Sequence, residues 1–188
     1  GDVCDILVST DDIKIKEVSE HYGASVPWLR PDELATDTSN SVDVALHALN
    51  WYEQHNEKVD GLMLLQPTSP FRTRETIKKG IKLFRENSRQ SIIAVTQTHD
   101  HPKWTLKIKS GVLTPYLEEH GLKIRSQDLD PAYVVNGSLY IVSPKNLRKN
   151  KSFYCENTIP LVIKSDIEAL DIDTLDDWKR AELISKVL

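Results

Sequence analysis

The chain has 188 residues, enough for one domain of ordinary size with a real hydrophobic core. Hydrophobic residues make up 39% and charged residues 28%, a balance typical of globular proteins and not of disordered or fibrous ones. The net charge of −4 argues against duplex nucleic acid or an anionic membrane as the main partner. No apolar run approaches the roughly 20 residues that a membrane span needs.

The first half of the chain predicts strands that alternate with helices. Apolar runs typical of strands cover residues 4–8, 26–29, 61–66 and 91–96, and the last two read as strands buried on both faces. Helical spacing of apolar residues lies between Ile13 and Gly23, after Asn40 or Ser41, and from Ile77 to Phe84. This order predicts an α/β fold with a Rossmann-like, mostly parallel sheet, whose ligands bind beyond the carboxyl ends of the strands.

The second half predicts a different pattern. Residues 104–109, 111–117 and 133–142 read as strands without intervening helices, which indicates an antiparallel insertion. A strand at 160–164 and a terminal helix follow, and Thr174 with Asp177 forms a variant of the capping box before that helix. We therefore interpret 1–188 as a single domain that contains an inserted subdomain at 99–156.

Asp171 and Asp173 are the strongest candidates for a metal site. In an extended segment, carboxylates two residues apart face the same side and can share a Mg²⁺ that also touches a phosphate. The alternative is that both are acids at the start of a helix, where the helix dipole favours them. The residues alone leave these two interpretations about even.

Polar residues follow two predicted strands at the positions where α/β proteins bind ligands. Gln66 ends one strand, and Thr68, Ser69 and Arg72 precede a helix whose positive end is able to meet an anion. An ordinary turn with helix caps is the alternative. Arg30 follows an earlier predicted strand and could hold a phosphate through two hydrogen bonds.

Several enzyme classes are disfavoured by missing motifs. The sequence has no G-x-S-x-G, no G-x-x-x-x-G-K-[ST] and no G-x-G-x-x-G, and only seven glycines. Its two cysteines are too far apart for a zinc or redox motif, and His99 with His101 lacks further nearby ligands. With no secretory signal pattern, a cytoplasmic location is the default expectation.

Five motifs together resemble the CMP-sialic acid synthetase, or acylneuraminate cytidylyltransferase, family. They are LVSTDD at 7–12, WLRPDELATDTSNS at 28–41, LLQPTSPFRT at 64–73, NGSLY at 136–140 and ALDIDT at 169–174. Their order and spacing match along essentially the whole chain, which makes the combination far more specific than any one motif.

The resemblance implies a reaction and its participants. The anomeric hydroxyl of a nine-carbon 2-keto sugar acid attacks the α-phosphate of CTP and displaces pyrophosphate, with Mg²⁺ or Mn²⁺ neutralising charge. It also implies a homodimer that shares site residues across its interface, with 99–156 as the dimerisation subdomain. By their match to the family's motifs, the implied site residues are Asp171 and Asp173 for the metal and catalysis, Arg30 and Ser41 for the nucleotide, and Gln66, Arg125, Tyr140, Phe153 and Tyr154 for the sugar acid, with Arg125 supplied by the dimer mate.

Two positions depart from the pattern of the sialic acid enzymes. Val134 and Val135 stand where a basic residue is frequent, and Lys103 is one place away from the usual lysine after His-Pro. The resemblance therefore leaves open a related nonulosonic acid, such as legionaminic acid, as the substrate.

The family begins with a strand and a Gly/Ser/Lys loop that wraps the CTP phosphates, ahead of the segment that is 4–8 here. We expect such a segment to be about 30 to 45 residues long, the size of one βα unit and its connection. On that expectation, a polypeptide of these 188 residues alone is poorly soluble or inactive with CTP.

Two alternatives stay open on the sequence. One is a glycosyltransferase that uses D-x-D to hold a nucleotide sugar, and it would transfer from a preformed nucleotide sugar. The other is a non-catalytic dimeric relative, which would show no metal-dependent CTP binding.

Overall fold

The computed structural model describes residues 2–36 and 38–188. In chain order these residues form α1 (Ile13–His21), α2 (Ser41–His55), β1 (Leu62–Leu64), α3 (Arg74–Glu86), β2 (Ile92–Gln97), β3 (Leu106–Lys109), β4 (Val112–Pro115), β5 (Tyr133–Val142), α4 (Pro144–Asn150), β6 (Ile159–Val162) and α5 (Leu175–Ser185). The mixture of helices and sheet confirms the predicted α/β class. No helix in the described part of the chain combines the length and the apolar character that crossing a membrane requires.

The chain divides into two compact units. Unit 1 comprises the described residues of Gly1–Leu64, Arg74–Ile93 and Leu139–Ile159. Unit 2 comprises Leu65–Thr73, Ala94–Ser138 and Pro160–Leu188. The role of 99–156 as a dimerisation subdomain stays a prediction.

Helices begin where the sequence supplies a side chain that caps the first free N–H groups. The Asp12 carboxylate accepts from the N–H groups of Lys14 and Ile15 at the start of α1. Asn40 caps α2 through the N–H of Asp43, and Thr174 with Asp177 forms a complete capping box on α5. The predicted terminal box is therefore confirmed.

The main sheet is mixed. Its strand order is β1-β5-β2-β6. β1 runs antiparallel to β5, with Met63 opposite Ile141. β6 runs parallel to β2, because the N–H of Ile159 donates to the Ser91 carbonyl and the N–H of Ile163 donates to the Val95 carbonyl, both at 2.8 Å.

Three strand predictions differ from the structure. Residues 26–29 form no strand, and next to them only Ser25 makes an isolated bridge. Residues 4–8 were expected to form a strand, but Leu7 makes only an isolated parallel bridge to Ser25. The 61–66 segment was expected to be buried on both faces, whereas β1 spans three residues, all half-buried. The physical reason is its position, since among the described strands β1 lies at the edge of the sheet and pairs with β5 alone.

The core of unit 1 surrounds α2. Buried side chains of α2 meet buried side chains from β5, α4 and the segment after it: Ala45, Leu46, Leu49, Val142, Leu147, Phe153 and Cys155. α3 lies close to β5, because a Cβ on Gly80 would come within 3.1 Å of the Leu139 side chain. Only glycine allows the helix to approach the strand this closely.

Unit 2 holds the other strands and the terminal helix. Its buried apolar residues are Ala94, Leu161, Ile163, Leu170 and Ala181. β3 and β4 form a separate antiparallel hairpin, in which Ile108 lies opposite Leu113. The predicted antiparallel pairing is confirmed for 104–109 with 111–117, whereas 133–142 belongs to the main sheet as β5. Most of the hairpin's apolar residues are exposed.

Candidate functional site

Three segments of unit 2 meet at one cluster of polar groups. They are the loop 65–73 after β1, the middle of β5 at 136–138, and the segment 168–173 before α5. Two backbone N–H groups donate hydrogen bonds between the first segment and the third. The N–H of Ile172 donates to the Thr68 carbonyl at 2.9 Å, and the N–H of Thr73 donates to Oε1 of Glu168 at 2.8 Å.

Ser69 lies at the centre of this cluster and is fully buried. Its Oγ lies 3.0 Å from the carbonyl oxygen of Asn136 and 3.3 Å from Oδ1 of Asp171. The hydroxyl has one proton to donate, and both acceptors are within its reach. Ser69 therefore lies between β5 and the Asp171 carboxylate and can donate to either one.

Gly137 is required at its position for two reasons. Its φ of +73° lies in the left-handed region that side chains disfavour. A Cβ there would also come within 2.8 Å of the Ser69 Oγ and 3.1 Å of Oδ2 of Asp171, and still closer to Oε1 of Gln66. Oxygen atoms of three side chains thus converge on one point of the β5 backbone.

Arg72 contacts the backbone on which this cluster is built. Its Nε donates to the carbonyl of Ser138 at 2.8 Å, and a terminal nitrogen donates to the carbonyl of Gln66. Burial lowers the pKa of Arg72 below its ordinary value, and the attraction of the Asp171 carboxylate partly offsets that change. The sequence placed Arg72 where it was able to meet an anion, but the structure turns it towards two backbone carbonyls.

Asn136 presents an oriented donor. Its Oδ1 accepts hydrogen bonds from the N–H of Ser138 at 3.3 Å and from the Ser138 hydroxyl at 2.9 Å, which fixes the orientation of the amide. Its Nδ2 is buried and has no hydrogen-bond partner among the described residues. A buried donor without an acceptor is expensive, so this amide has an unused hydrogen-bonding capacity beside the cluster.

The donor set around Asp171 fits a hard cation. Asp171 is half-buried and Asp173 is exposed, and both supply carboxylate oxygens, the ligands that Mg²⁺ and Mn²⁺ prefer. Within 2–36 and 38–188 no group of three or more His, Cys, Asp and Glu residues is arranged to hold a metal.

The predicted nucleotide residues both lie in unit 1. The half-buried Arg30 donates from Nε to the Ser9 hydroxyl at 3.2 Å and from a terminal nitrogen to the Ser9 carbonyl. The backbone N–H of Arg30 donates to the Thr10 carbonyl at 2.7 Å. Ser41 is exposed at the first position of α2. The structure thus anchors Arg30 to the loop before α1.

The predicted sugar-acid residues are divided between the two units. In unit 1, Tyr140 contacts Phe153 with 5.4 Å between ring centroids, Phe153 is buried in the core, and Tyr154 is 72% exposed. In unit 2, Gln66 belongs to the cluster around Gly137. Arg125 is exposed and pairs with Asp128, with Nε 2.9 Å from Oδ2.

Sequence reasoning missed the specific roles of Gly137 and Asn136. The NGSLY motif was noted, but periodicity carries no signal for a left-handed backbone inside a strand or for an unpartnered amide. A glycine in a strand whose other positions are mostly apolar was the available signal, because it marks a bulge or a close approach.

The chain is similar to bacterial sugar-acid cytidylyltransferases and CMP-sugar acid synthases. It is 40% identical over 185 residues to the CMP-N,N'-diacetyllegionaminic acid synthase of Legionella pneumophila, covering 97% of this chain and 78% of that protein. The chain belongs to the CMP-sialic acid synthetase family. It is thus an enzyme of the cytidylyltransferase class that forms CMP-activated nonulosonic acids.

More distant relatives agree with this assignment. The chain is 32% identical to the N-acylneuraminate cytidylyltransferase of Streptococcus agalactiae (strain NEM316), covering 93% of the chain but only 41% of that longer protein. It is 26% identical to the pseudaminic acid cytidylyltransferase of Campylobacter jejuni (strain NCTC 11168), covering 97% and 78%. No protein-family model matches the chain.

Solved structures support the fold. A CMP:2-keto-3-deoxy-manno-octonic acid synthetase solved with CTP superimposes with a TM-score of 0.65 at 12% identity, covering 99% of this chain and 83% of that one. The 4-diphosphocytidyl-2C-methyl-D-erythritol synthase of Anaerococcus prevotii gives 0.61 at 16% identity, covering 97% and 81%. At these identities the likeness concerns the α/β fold alone.

Proposed function

We propose that the protein transfers the cytidylyl group of CTP to a legionaminic-type nonulosonic acid, in a site that includes the Ser69–Gly137–Asp171 cluster. The observation that carries the proposal is the convergence of Gln66, Ser69 and Asp171 on Gly137. The cluster follows a strand end, which is where α/β proteins bind ligands.

A legionaminic-type acid is favoured over sialic acid for two reasons. The relative named for diacetyllegionaminic acid is 40% identical, compared with 32% for an N-acylneuraminate enzyme. The chain also has Val134 and Val135 where the sialic acid enzymes frequently have a basic residue.

Asp171 and Asp173 would hold Mg²⁺ or Mn²⁺. When bound, the cation neutralises the negative charge of the CTP phosphates. The protein's own groups position the reactants. Ser69 fixes the Asp171 carboxylate, and the Asn136 amide offers a donor to a substrate oxygen.

The remaining assignments follow the family motifs. Arg30 and Ser41 contact the nucleotide. Gln66, Tyr140, Phe153 and Tyr154 contact the sugar acid, together with Arg125 of a second copy of the chain. The exposure of Arg125 and its short-range pairing with Asp128 suit a residue that acts outside its own subunit.

A homodimer accompanies this arrangement, with the β3–β4 hairpin as part of its interface. Ile108 is 76% exposed and Leu113 is 64% exposed, and they lie opposite each other on one face of the hairpin. Exposed apolar groups that lie side by side are typical of interaction surfaces.

The test is a comparison of sugar acids. The full-length protein that carries this chain is incubated with CTP, Mg²⁺ and N,N'-diacetyllegionaminic, N-acetylneuraminic or pseudaminic acid, and pyrophosphate release and the CMP-sugar product are both measured. The proposal predicts the highest kcat/KM with the legionaminic-type acid and no release without an acid. A higher kcat/KM with either other acid would overturn the substrate assignment, and release without any acid would overturn the reaction.

A further inference from the structure

Arg72 connects the two backbone segments that carry the cluster. The carbonyl of Gln66 belongs to the loop after β1, and the carbonyl of Ser138 belongs to β5. Both residues lie next to Gly137, because the Gln66 side chain approaches it and Ser138 follows it in the chain. One guanidinium therefore sets the spacing of the two segments.

The guanidinium is the side chain best suited to this role. It is planar and carries donors in a fixed fork, so that two carbonyls can be held at once in one geometry. A lysine ammonium keeps the charge but is a flexible point donor without that fork. Arg72 is half-buried, so its hydrogen bonds are shielded from competing water.

Charge adds a second connection. Arg72 is attracted to the Asp171 carboxylate, and Oδ1 of that carboxylate lies 3.3 Å from the hydroxyl of the buried Ser69. The same side chain thus fixes the main chain of Gln66 and is attracted to the Asp171 carboxylate.

We propose that Arg72 is a positioning residue that holds Gln66 and the 136–138 segment in register, and thereby sets the affinity of the site for the sugar acid. This inference rests on the proposed function, in which Gln66 contacts that acid. Arg72 itself touches neither substrate.

The experiment compares Arg72→Lys and Arg72→Gln with Arg74→Lys and Arg74→Gln. Arg74 is the matched control, because it is two residues away and exposed at the start of α3. Each variant is assayed for the KM of the sugar acid, the KM of CTP and thermal unfolding. Amide hydrogen exchange of the peptides that cover 66–73 and 133–140 is followed without substrates.

We expect both Arg72 variants to raise the KM of the sugar acid about tenfold or more. The reason is that a displaced Gln66 loses its hydrogen bond to the charged acid, and one such bond is worth that much. The KM of CTP should stay within about twofold, and exchange should accelerate in the two peptides and not elsewhere. Lysine keeps the positive charge but lacks the fork of donors. If the fork holds the two segments, Arg72→Lys should therefore accelerate exchange as much as Arg72→Gln does. The Arg74 variants should behave as the wild type.

The outcomes separate this inference from the proposed function. A uniform loss of kcat with unchanged KM values, or acceleration of exchange throughout the chain, would show a merely structural role and overturn the inference. Unchanged exchange in both Arg72 variants would overturn it as well. If the wild type uses no sugar acid, the proposed function fails, and the exchange data alone then decide whether Arg72 holds the two segments.

Discussion

The hydroxyl of Ser69 lies 3.3 Å from Oδ1 of Asp171, although 102 positions separate the two residues in the chain. The same hydroxyl reaches the carbonyl of Asn136 on β5. Ser69 is fully buried, so this contact is part of the packed interior of unit 2 and not a surface feature. The carboxylate that we propose as a metal ligand therefore contacts a side chain inside the packed fold.

Replacing Gly137 should damage both stability and activity. In Gly137→Ala the positive φ costs about 1–2 kcal/mol. The added methyl group also meets the oxygens of Ser69 and Asp171, and such overpacking typically costs a further 1–3 kcal/mol. Thermal unfolding and the rate of pyrophosphate release measure the two effects.

Gly111→Ala is the matched control for that change. Gly111 also has a positive φ, of +78°, but a Cβ there would have nothing within 4 Å. Gly111→Ala should be destabilised only by the cost of the backbone conformation, and it should keep the activity of the wild type. Equal losses in the two variants would show that the crowding at Gly137 has no consequence.

The capping box on α5 predicts an acid-sensitive contribution to stability. The hydrogen bond from the Thr174 hydroxyl, more than any other contact, lowers the pKa of Asp177 below its ordinary value of 3.8. A carboxyl group whose pKa is lower in the folded state than in the unfolded state stabilises the folded state at pH values above its ordinary pKa. That stabilisation is lost as the pH falls through the lowered pKa.

Asp177→Asn tests this contribution. The melting temperature of the wild type should exceed that of the variant near neutral pH, and the difference should shrink as the pH falls below 3.8. Asp176→Asn is the control, because Asp176 lies in the same first turn but pairs with Lys179 instead. A pH-independent difference for Asp177→Asn would contradict the lowered pKa.

The β3–β4 hairpin should contribute to self-association. Placing lysines at both Ile108 and Leu113 introduces like charges on directly opposed positions, which disfavours an apolar interface. Light scattering over a range of concentrations should show the double variant as a monomer and the wild type as a dimer. Thr114→Lys, on the opposed pair with Lys107, should leave the dimer intact, and dissociation of that control to the same degree would count against the assigned face.

Arg125 should act on the site of the second copy. Arg125→Ala and Asp171→Asn should each be nearly inactive alone. In a mixed dimer, one site receives a native Asp171 from one chain and a native Arg125 from the other, so mixing the two variants should restore part of the activity. No recovery after verified subunit exchange would place Arg125 within its own subunit's site or outside the site altogether.

The sequence predicts much of the fold because its signals are local. Asn40 and the apolar stripe of α2, and Thr174 and Asp177 before α5, act within one or two helical turns. The prediction that 61–66 is buried on both faces was wrong because an apolar run also suits an edge strand. The number of strands beside it depends on contacts with residues far along the chain.

The candidate site is predictable only as far as its residues lie in recognisable motifs. Asp171 and Gln66 follow from motif and position, but the buried contact of Ser69 with Asp171 depends on packing between segments 102 positions apart. The orientation of Arg72 towards Gln66 and Ser138 is of the same kind. Composition and spacing carry no information on which of two nearby partners a side chain will choose.

The most direct test is CMP-sugar formation by Asp171→Asn in the presence of CTP, Mg²⁺ and N,N'-diacetyllegionaminic acid. The variant keeps the shape of the side chain and an oxygen that accepts from Ser69, so its melting temperature should stay close to that of the wild type. Product formation should fall by a factor on the order of 10³ or more, since several kcal/mol of charge stabilisation are lost. Asp176→Asn should remain fully active. Wild-type rates in a folded Asp171→Asn protein would contradict the assignment of Asp171 to the catalytic centre.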